Sequence, residues 1–212
     1  MAKRSKSSQR WLERQRRDPY VKAAAKQQLG SRAHFKLEQL NRRFRLLRPG
    51  MHILELGAAP GGWTRYMVEQ APGCRIIAVD YREMSVPPGV TFLQLDIHST
   101  EFLTAVDTLV ENGLDLVLSD MAPNISGIKV ADQAAAMGLA ELATDAAGRW
   151  LKPGGHLVVK MFQGEGVDGW LREQRQAFER VVLAKPDASR QGSREVYGVA
   201  LGYRGSGNLE NL

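Results

Sequence analysis

The 212-residue sequence predicts an α/β fold: a mostly parallel, doubly wound sheet with a basic helical extension at its N-terminal end. Three observations predict it. From Met51 onward, short apolar runs alternate with amphipathic stretches, the rhythm that places parallel strands between two helical layers. The first run, Ile53-Leu54-Glu55-Leu56, leads into Gly57-Ala58-Ala59-Pro60-Gly61-Gly62, a glycine-rich turn that opens a helix and lets a backbone approach a nucleotide closely. Residues 1–50 carry 15 Lys/Arg against 3 Asp/Glu, a net +12, whereas residues 51–212 carry 14 against 20, a net −6.

Residues 1–17 contain almost nothing to bury and read as a flexible basic arm. Residues 18–50 form a basic helical preface, with one helix over Ala23 to Leu29 and a second over Ser31 to Leu47. Ser31 is the expected N-cap of the second, and Phe35, Leu37, Leu40, Phe44 and Leu47 form its apolar stripe. Pro49-Gly50 ends the preface. Strands are then expected at Met51 to Leu56, Arg75 to Val79, Val90 to Leu95, Leu114 to Ser119, His156 to Phe162, Val181 to Ala184 and Val196 to Tyr203. Helices are expected between them at Gly62 to Gln70, Thr100 to Glu111, Ala131 to Trp150 and Val167 to Phe178. Residues 18–204 read as one domain, with the sheet over 51–204, and the Gly/Asn-rich stretch 205–212 reads as a flexible tail.

A hydrophobic content of 43% suffices for one sizeable core, and no apolar run approaches the length that crosses a bilayer. The basic start is not followed by an apolar segment, so no secretory signal and a cytoplasmic location are expected. Cys74 has no partner for a bridge, and His34, His52, His98 and His156 lack ligand spacing, so neither a disulfide nor a metal is expected. The basic block, which includes Arg10, Arg14, Arg16, Arg17, Lys22, Lys26, Arg32, Arg42, Arg43, Arg45 and Arg48, suits a polyphosphate backbone. Trp11 and Tyr20 are placed among these charges to stack on bases. Nucleic acid is the expected partner.

Parallel sheets hold ligands beyond the carboxyl ends of their strands. Here those ends deliver Gly57, Asp80, Asp96, Asp120 and Lys160. Glycines at 57, 61 and 62 depart from the G-x-G-x-x-G spacing that seats a dinucleotide, so a smaller nucleoside cofactor is expected. Glu55 would repel a phosphate but suits a cationic ligand, as the sulfonium and ammonium of S-adenosylmethionine are. Asp80 follows Gly57 by 23 positions, near the offset at which an acid accepts hydrogen bonds from ribose hydroxyls. Asp96 can accept from an exocyclic adenine amine, or simply form a turn with Ile97-His98-Ser99. Asp120 should face the crevice and meet a cation, either the cofactor or Lys160. Lys160 interrupts an apolar strand in His156-Leu157-Val158-Val159-Lys160-Met161-Phe162, and such a lysine either pairs with an acid or serves as a general base. Spacing alone leaves Lys36 and Glu195 undecided between function and ordinary surface charge.

Five segments taken in order are more telling than any one. Ser31-Arg32-Ala33-His34-Phe35-Lys36-Leu37, the turn 57–63, Ser119 to Asn124, Val158 to Gly166 and Ser193-Arg194-Glu195-Val196-Tyr197 together resemble the FtsJ-like RNA 2′-O-methyltransferases. The resemblance runs from about Lys22 to Tyr203. It implies a Rossmann-like S-adenosylmethionine-dependent methyltransferase fold and places the family's Lys-Asp-Lys-Glu tetrad on Lys36, Asp120, Lys160 and Glu195. It places S-adenosylmethionine contacts on Gly61, Trp63, Asp80, Asp96 and Asp120, beside Gly57 of the same turn. His34 departs from the family pattern, which carries a bulkier aromatic residue there. The implied substrate is a single uridine in the peptidyl-transferase region of 23S RNA, within the 50S large ribosomal subunit, for an enzyme acting as a monomer. The competing class is a non-catalytic ribosome-assembly or RNA-binding factor, for which the basic arm alone would suffice. Methylation of a base amine would want an Asp/Asn-Pro-Pro-aromatic loop, and Asp120-Met121-Ala122-Pro123 lacks the second proline and the aromatic residue.

Overall fold

The computed structural model describes residues 32–190 and 192–205. The expected arm over 1–17, the helix over Ala23 to Leu29, the Ser31 cap and residues 206–212 of the tail lie outside them. The chain opens on α1 (Ala33–Phe44), whose last turn carries Arg42 and Arg43 and whose C-cap, Arg45, takes a left-handed conformation with its N–H donating to Asn41 O. Then follow β1 (His52–Leu56), α2 (Gly62–Gln70), β2 (Arg75–Asp80), β3 (Val90–Gln94), α3 (Thr100–Leu109) and β4 (Leu114–Ser119). The remaining elements are α4 (Lys129–Trp150), β5 (Leu151–Phe162), α5 (Val167–Ala177), β6 (Phe178–Ala184) and β7 (Glu195–Tyr203).

The sheet runs β3-β2-β1-β4-β5-β7-β6. Its first five strands are parallel, and β7 inserts antiparallel between β5 and β6. Sequence order reverses between β1 and β4, so the loops after these strands diverge to opposite faces and leave a crevice between them. Two apolar layers cover the sheet. On one face α1 and α2 supply Leu37, Leu40, Trp63 and Met67, which pack on Ile53, Leu116, Val158 and Tyr197. On the other, α3, α4 and α5 supply Phe102, Ala140, Ala147 and Trp170 against Leu54, Val117, Leu157 and Ala200. Each fully buried Leu here contributes roughly 1.5–3 kcal/mol, so α1 is anchored to the sheet by its own stripe.

Most boundaries differ from expectation by no more than a few residues, and packing explains the departures that follow. Phe178 was expected to end a helix but begins β6, where it pairs with Tyr203 and the two rings lie 5.2 Å apart. Strand β5 starts at Leu151 rather than His156. Its pairing with β4 jumps from Leu114↔Leu151 to Leu116↔His156, so Lys152-Pro153-Gly154-Gly155 forms a bulge in the stretch between the expected helix and strand. Lys160 does not end β5 but lies inside it, in register with Tyr197 of β7. Among the described residues, no helix is long and apolar enough to cross a membrane, and no three His, Cys, Asp or Glu side chains converge as a metal site.

Candidate active site

The glycine turn is built by contacts that exclude side chains. Gly57 has φ +77°, and a Cβ there would lie 2.7 Å from Met121 Cγ and 3.1 Å from Met121 N, so only glycine lets the loops after β1 and β4 meet. The turn is latched to the sheet by Gly57 N–H and Ala58 N–H, both donating to Val79 O. Gly61, with φ +91°, caps α2.

At the switch point lies a cleft of about 900 Å³, whose wall includes Gly57, Ala59, Asp80, Tyr81, Arg82, Asp96, Ile97, Asp120, Met121, Leu139, Leu142 and Lys160. Three strand-end acids therefore share one concavity. Asp96 is exposed, and its Oδ1 accepts from the His98 N–H at 2.9 Å, so it forms the turn and reaches the cleft at once. Asp80 is buried, and its carboxylate is held by the Ala59 N–H and by Arg82. Gly61 and Trp63 do not line this cleft. Trp63 is buried, packs its ring 5.8 Å from that of Tyr197 and donates Nε1–H to Ala33 O at 2.7 Å, which fixes the start of α1. Its indole is committed to the scaffold.

Glu55 corrects another expectation. Its side chain lies beneath the turn rather than in the cleft and accepts from Thr64 Oγ1 at 2.6 Å. Burial, with the charges of Asp120 and Asp80 adding to it, raises its pKa to about 8 against the Thr64 hydrogen bond. It is neutral at pH 7, so it offers no charge to a cationic ligand.

Beside the cleft, three adjacent strands and one helix bring four charged groups together. Asp120 follows β4, Lys160 is on β5, Glu195 starts β7, and Lys36 lies in the first turns of α1. Lys160 Nζ donates to the main-chain oxygen of Asp120 and to its Oδ1 at 3.1 Å. Lys36 Nζ reaches both oxygens of Glu195, at 2.8 and 2.9 Å. The residues left undecided by spacing are thus an ion pair of a buried lysine and a half-buried carboxylate. Tyr197 joins the two pairs, donating its hydroxyl to Asp120 Oδ1 at 2.6 Å and lying 3.4 Å from Glu195 Oε1. Ser189 Oγ donates to the same Glu195 oxygen at 3.0 Å.

The electrostatics follow from this geometry. Burial pushes the Asp120 carboxyl up, but the cations of Lys160 and Lys36 and the Tyr197 hydrogen bond outweigh it and hold Asp120 below the usual carboxylate value. Burial, then the anions of Asp120 and Glu195, raises Tyr197 well above an ordinary phenol. Tyr197 stays a donor.

A family model described as FtsJ-like methyltransferase matches residues 29–203. The chain is 48% identical over 204 residues to the ribosomal RNA large subunit methyltransferase E of Pseudomonas fluorescens, covering 95% of this chain and 98% of that one. It belongs to the FtsJ-like methyltransferase family. The corresponding protein of Pseudomonas aeruginosa is 47% identical over 205 residues, covering 95% of this chain and 99% of that one. A crystal structure of a Plasmodium falciparum protein titled as a ribosomal RNA methyltransferase superposes with a TM-score of 0.76 at 26% identity, over 83% of this chain and 99% of the other. A fibrillarin complex, at 16% identity and a TM-score of 0.56 over 82% of this chain and 84% of the other, shares the fold alone.

For an FtsJ-like methyltransferase the sequence reading omitted two polar groups of this cluster, Tyr197 and Ser189. The signal for Tyr197 was available. Glu195 and Tyr197 are two apart on a strand and so share a face. Ser189 lies in the loop between β6 and β7 and had no such signal.

Proposed function

We propose that this FtsJ-like methyltransferase transfers a methyl group from S-adenosylmethionine to the ribose 2′-oxygen of a uridine in 23S RNA of the large ribosomal subunit. It acts in the cytoplasm as a monomer, on RNA within the 50S particle and without a metal. One observation carries the reading. The two lysine–carboxylate pairs joined by Tyr197 stand where the acid-lined cleft meets the basic helix α1.

The cleft fits the donor. Asp80, Asp96 and Asp120 offer carboxylates to hydroxyls, an amine and a cation, while Leu95, Ile97, Leu139 and Leu142 offer apolar walls to a purine. Gly57 gives the backbone its approach. Bound there, S-adenosylmethionine supplies an electrophilic methyl on a cationic sulfur. The chain must then align a ribose hydroxyl and remove its proton.

Lys160 is the proposed proton acceptor. Two N–H groups of a neutral Nζ would be occupied by Asp120 O and Oδ1, leaving the lone pair for a hydroxyl at the cleft. Asp120 and Tyr197 position that amine. Glu195 holds Lys36 so that one cation stays beside the cluster and offsets part of its carboxylate charge. The basic residues of α1 and of the arm over 1–17 bind the RNA backbone, and residues 18–204 act as one catalytic unit. The complete set of partners around Lys160 supports an enzyme over a non-catalytic RNA-binding factor.

The test is transfer of labelled methyl from S-adenosylmethionine to naked RNA and to 50S subunits from cells lacking the modification, followed by digestion to nucleosides. Label in 2′-O-methyluridine, strongest with subunits, is expected. Label on a base, or none on either substrate, would refute the reading.

A further inference from the structure

Asp80 is the strand-end acid best placed to receive a ribose diol, yet each direction in which its carboxylate can accept is already used. Its Oδ2 accepts from the Ala59 N–H at 2.9 Å and from Arg82 Nη2 at 3.2 Å. Its Oδ1 accepts from the Arg82 main-chain N–H at 2.9 Å and from Arg82 Nε at 3.2 Å. A carboxylate offers about four lone-pair sites, and a single neighbouring residue takes three of them. The same Nη2 also donates to Ala59 O at 2.9 Å, which ties the guanidinium to the glycine turn. The Asp80 side chain is only 2% exposed while that of Arg82 is 55% exposed, so the guanidinium lies over the acid on the cleft side and borders solvent.

We propose that Arg82 sets the cofactor affinity of this enzyme: its guanidinium occupies the Asp80 acceptor sites that the ribose hydroxyls require, and must withdraw before the nucleoside is held. The inference rests on reading the cleft as the cofactor site. Arg82 N–H and Ala59 N–H keep Asp80 aligned when the side chain leaves, so the acid stays in place for the diol. The measured dissociation constant is then the intrinsic one divided by the fraction of molecules with Arg82 withdrawn. Because the competition is for hydroxyls, donor and demethylated product are weakened alike.

Calorimetry on the full chain tests this with S-adenosylhomocysteine and its 2′,3′-dideoxy analogue. An ion pair as exposed as this one implies that Arg82→Ala binds S-adenosylhomocysteine about fivefold more tightly than the unsubstituted protein. The dideoxy analogue, which makes no claim on Asp80, is expected to bind both proteins equally. Arg82→Lys, which keeps the charge but not the forked geometry, is expected to fall between them, and it serves if the alanine variant does not fold. Equal or weaker binding of S-adenosylhomocysteine to Arg82→Ala, or an equal gain with the dideoxy analogue, would overturn the proposal and leave the cofactor reading standing. Failure of the unsubstituted protein to bind S-adenosylhomocysteine or S-adenosylmethionine would overturn both.

Discussion

Replacing Glu55 by Gln should stabilise the protein at neutral pH and leave the benefit absent in acid. Glu55 is 1% exposed, between the glycine turn and α2, with Thr64 Oγ1 as its donor. Burial first, then the charges of Asp120 and Asp80, lifts its pKa from 4.5 to about 8. The folded protein therefore carries it protonated at pH 7, while the unfolded chain carries it ionised. A raised folded-state pKa gives a contribution that is complete below pH 4.5 and is lost as pH climbs toward 8. At 1.36 kcal/mol per unit, about 3 kcal/mol of stability has gone by pH 7. Gln is neutral throughout and still accepts from Thr64. Urea denaturation followed by circular dichroism, at pH 4.5, 7 and 9, should show the stability gap between variant and parent widening by about 3 kcal/mol from pH 4.5 to 7 and changing little above 8. Burial holds His34 and His156 below ordinary histidine values, so both proteins also lose stability as pH falls below about 6.5, a loss that cancels in the difference. A gap that stays constant across this range would refute the assignment of a neutral buried Glu55.

Three further outcomes follow from the same geometry. Tyr197→Phe removes the 2.6 Å bond to Asp120, which should cost about tenfold in kcat, the value of one hydrogen bond to a charged group. Without it the Asp120 pKa rises, so the acidic limb of the pH–rate profile should move to higher pH. Gly198→Ala places a Cβ 2.6 Å from the Trp170 ring and 2.7 Å from Met161 Cε, between β5 and β6. A thermal melt should show a loss of about 1–3 kcal/mol or more from that overpacking. Deleting residues 1–17 removes 7 Lys/Arg, and RNA-binding titrations at several salt concentrations should show weaker affinity with a shallower salt slope.

The sheet was legible because its strands are apolar runs closed by turn residues, and all seven strands lie where the pattern places them to within a few residues, with β5 extended backward through its bulge. Lys160 and Asp120 were legible as charges that contradict a buried environment. Lys36 and Glu195 were not, because their burial arises only when α1 folds back over β7, a contact between residues 159 positions apart. Tyr197 was hidden for a different reason. An aromatic residue in Glu195-Val196-Tyr197-Gly198-Val199 satisfies strand propensity and core packing so well that only its two-residue spacing from Glu195, which puts both on one face, marks its hydroxyl as part of a site. Glu55 was placed on the wrong side because alternation along β1 says which residues share a face, not which face the cleft occupies. Arg82, in an exposed turn, gives no sequence sign that its side chain folds back on Asp80.

The central claim is that Lys160 moves the proton while the neighbouring cleft holds the methyl donor. The most direct test measures turnover and S-adenosylmethionine binding on one preparation each of Lys160→Ala, Lys160→Arg and the unsubstituted protein. The account predicts that both variants bind the donor within about threefold of the parent, roughly 0.6 kcal/mol, and that neither transfers methyl, since alanine has no amine and guanidinium stays protonated. Turnover by Lys160→Arg near the parent rate would contradict it.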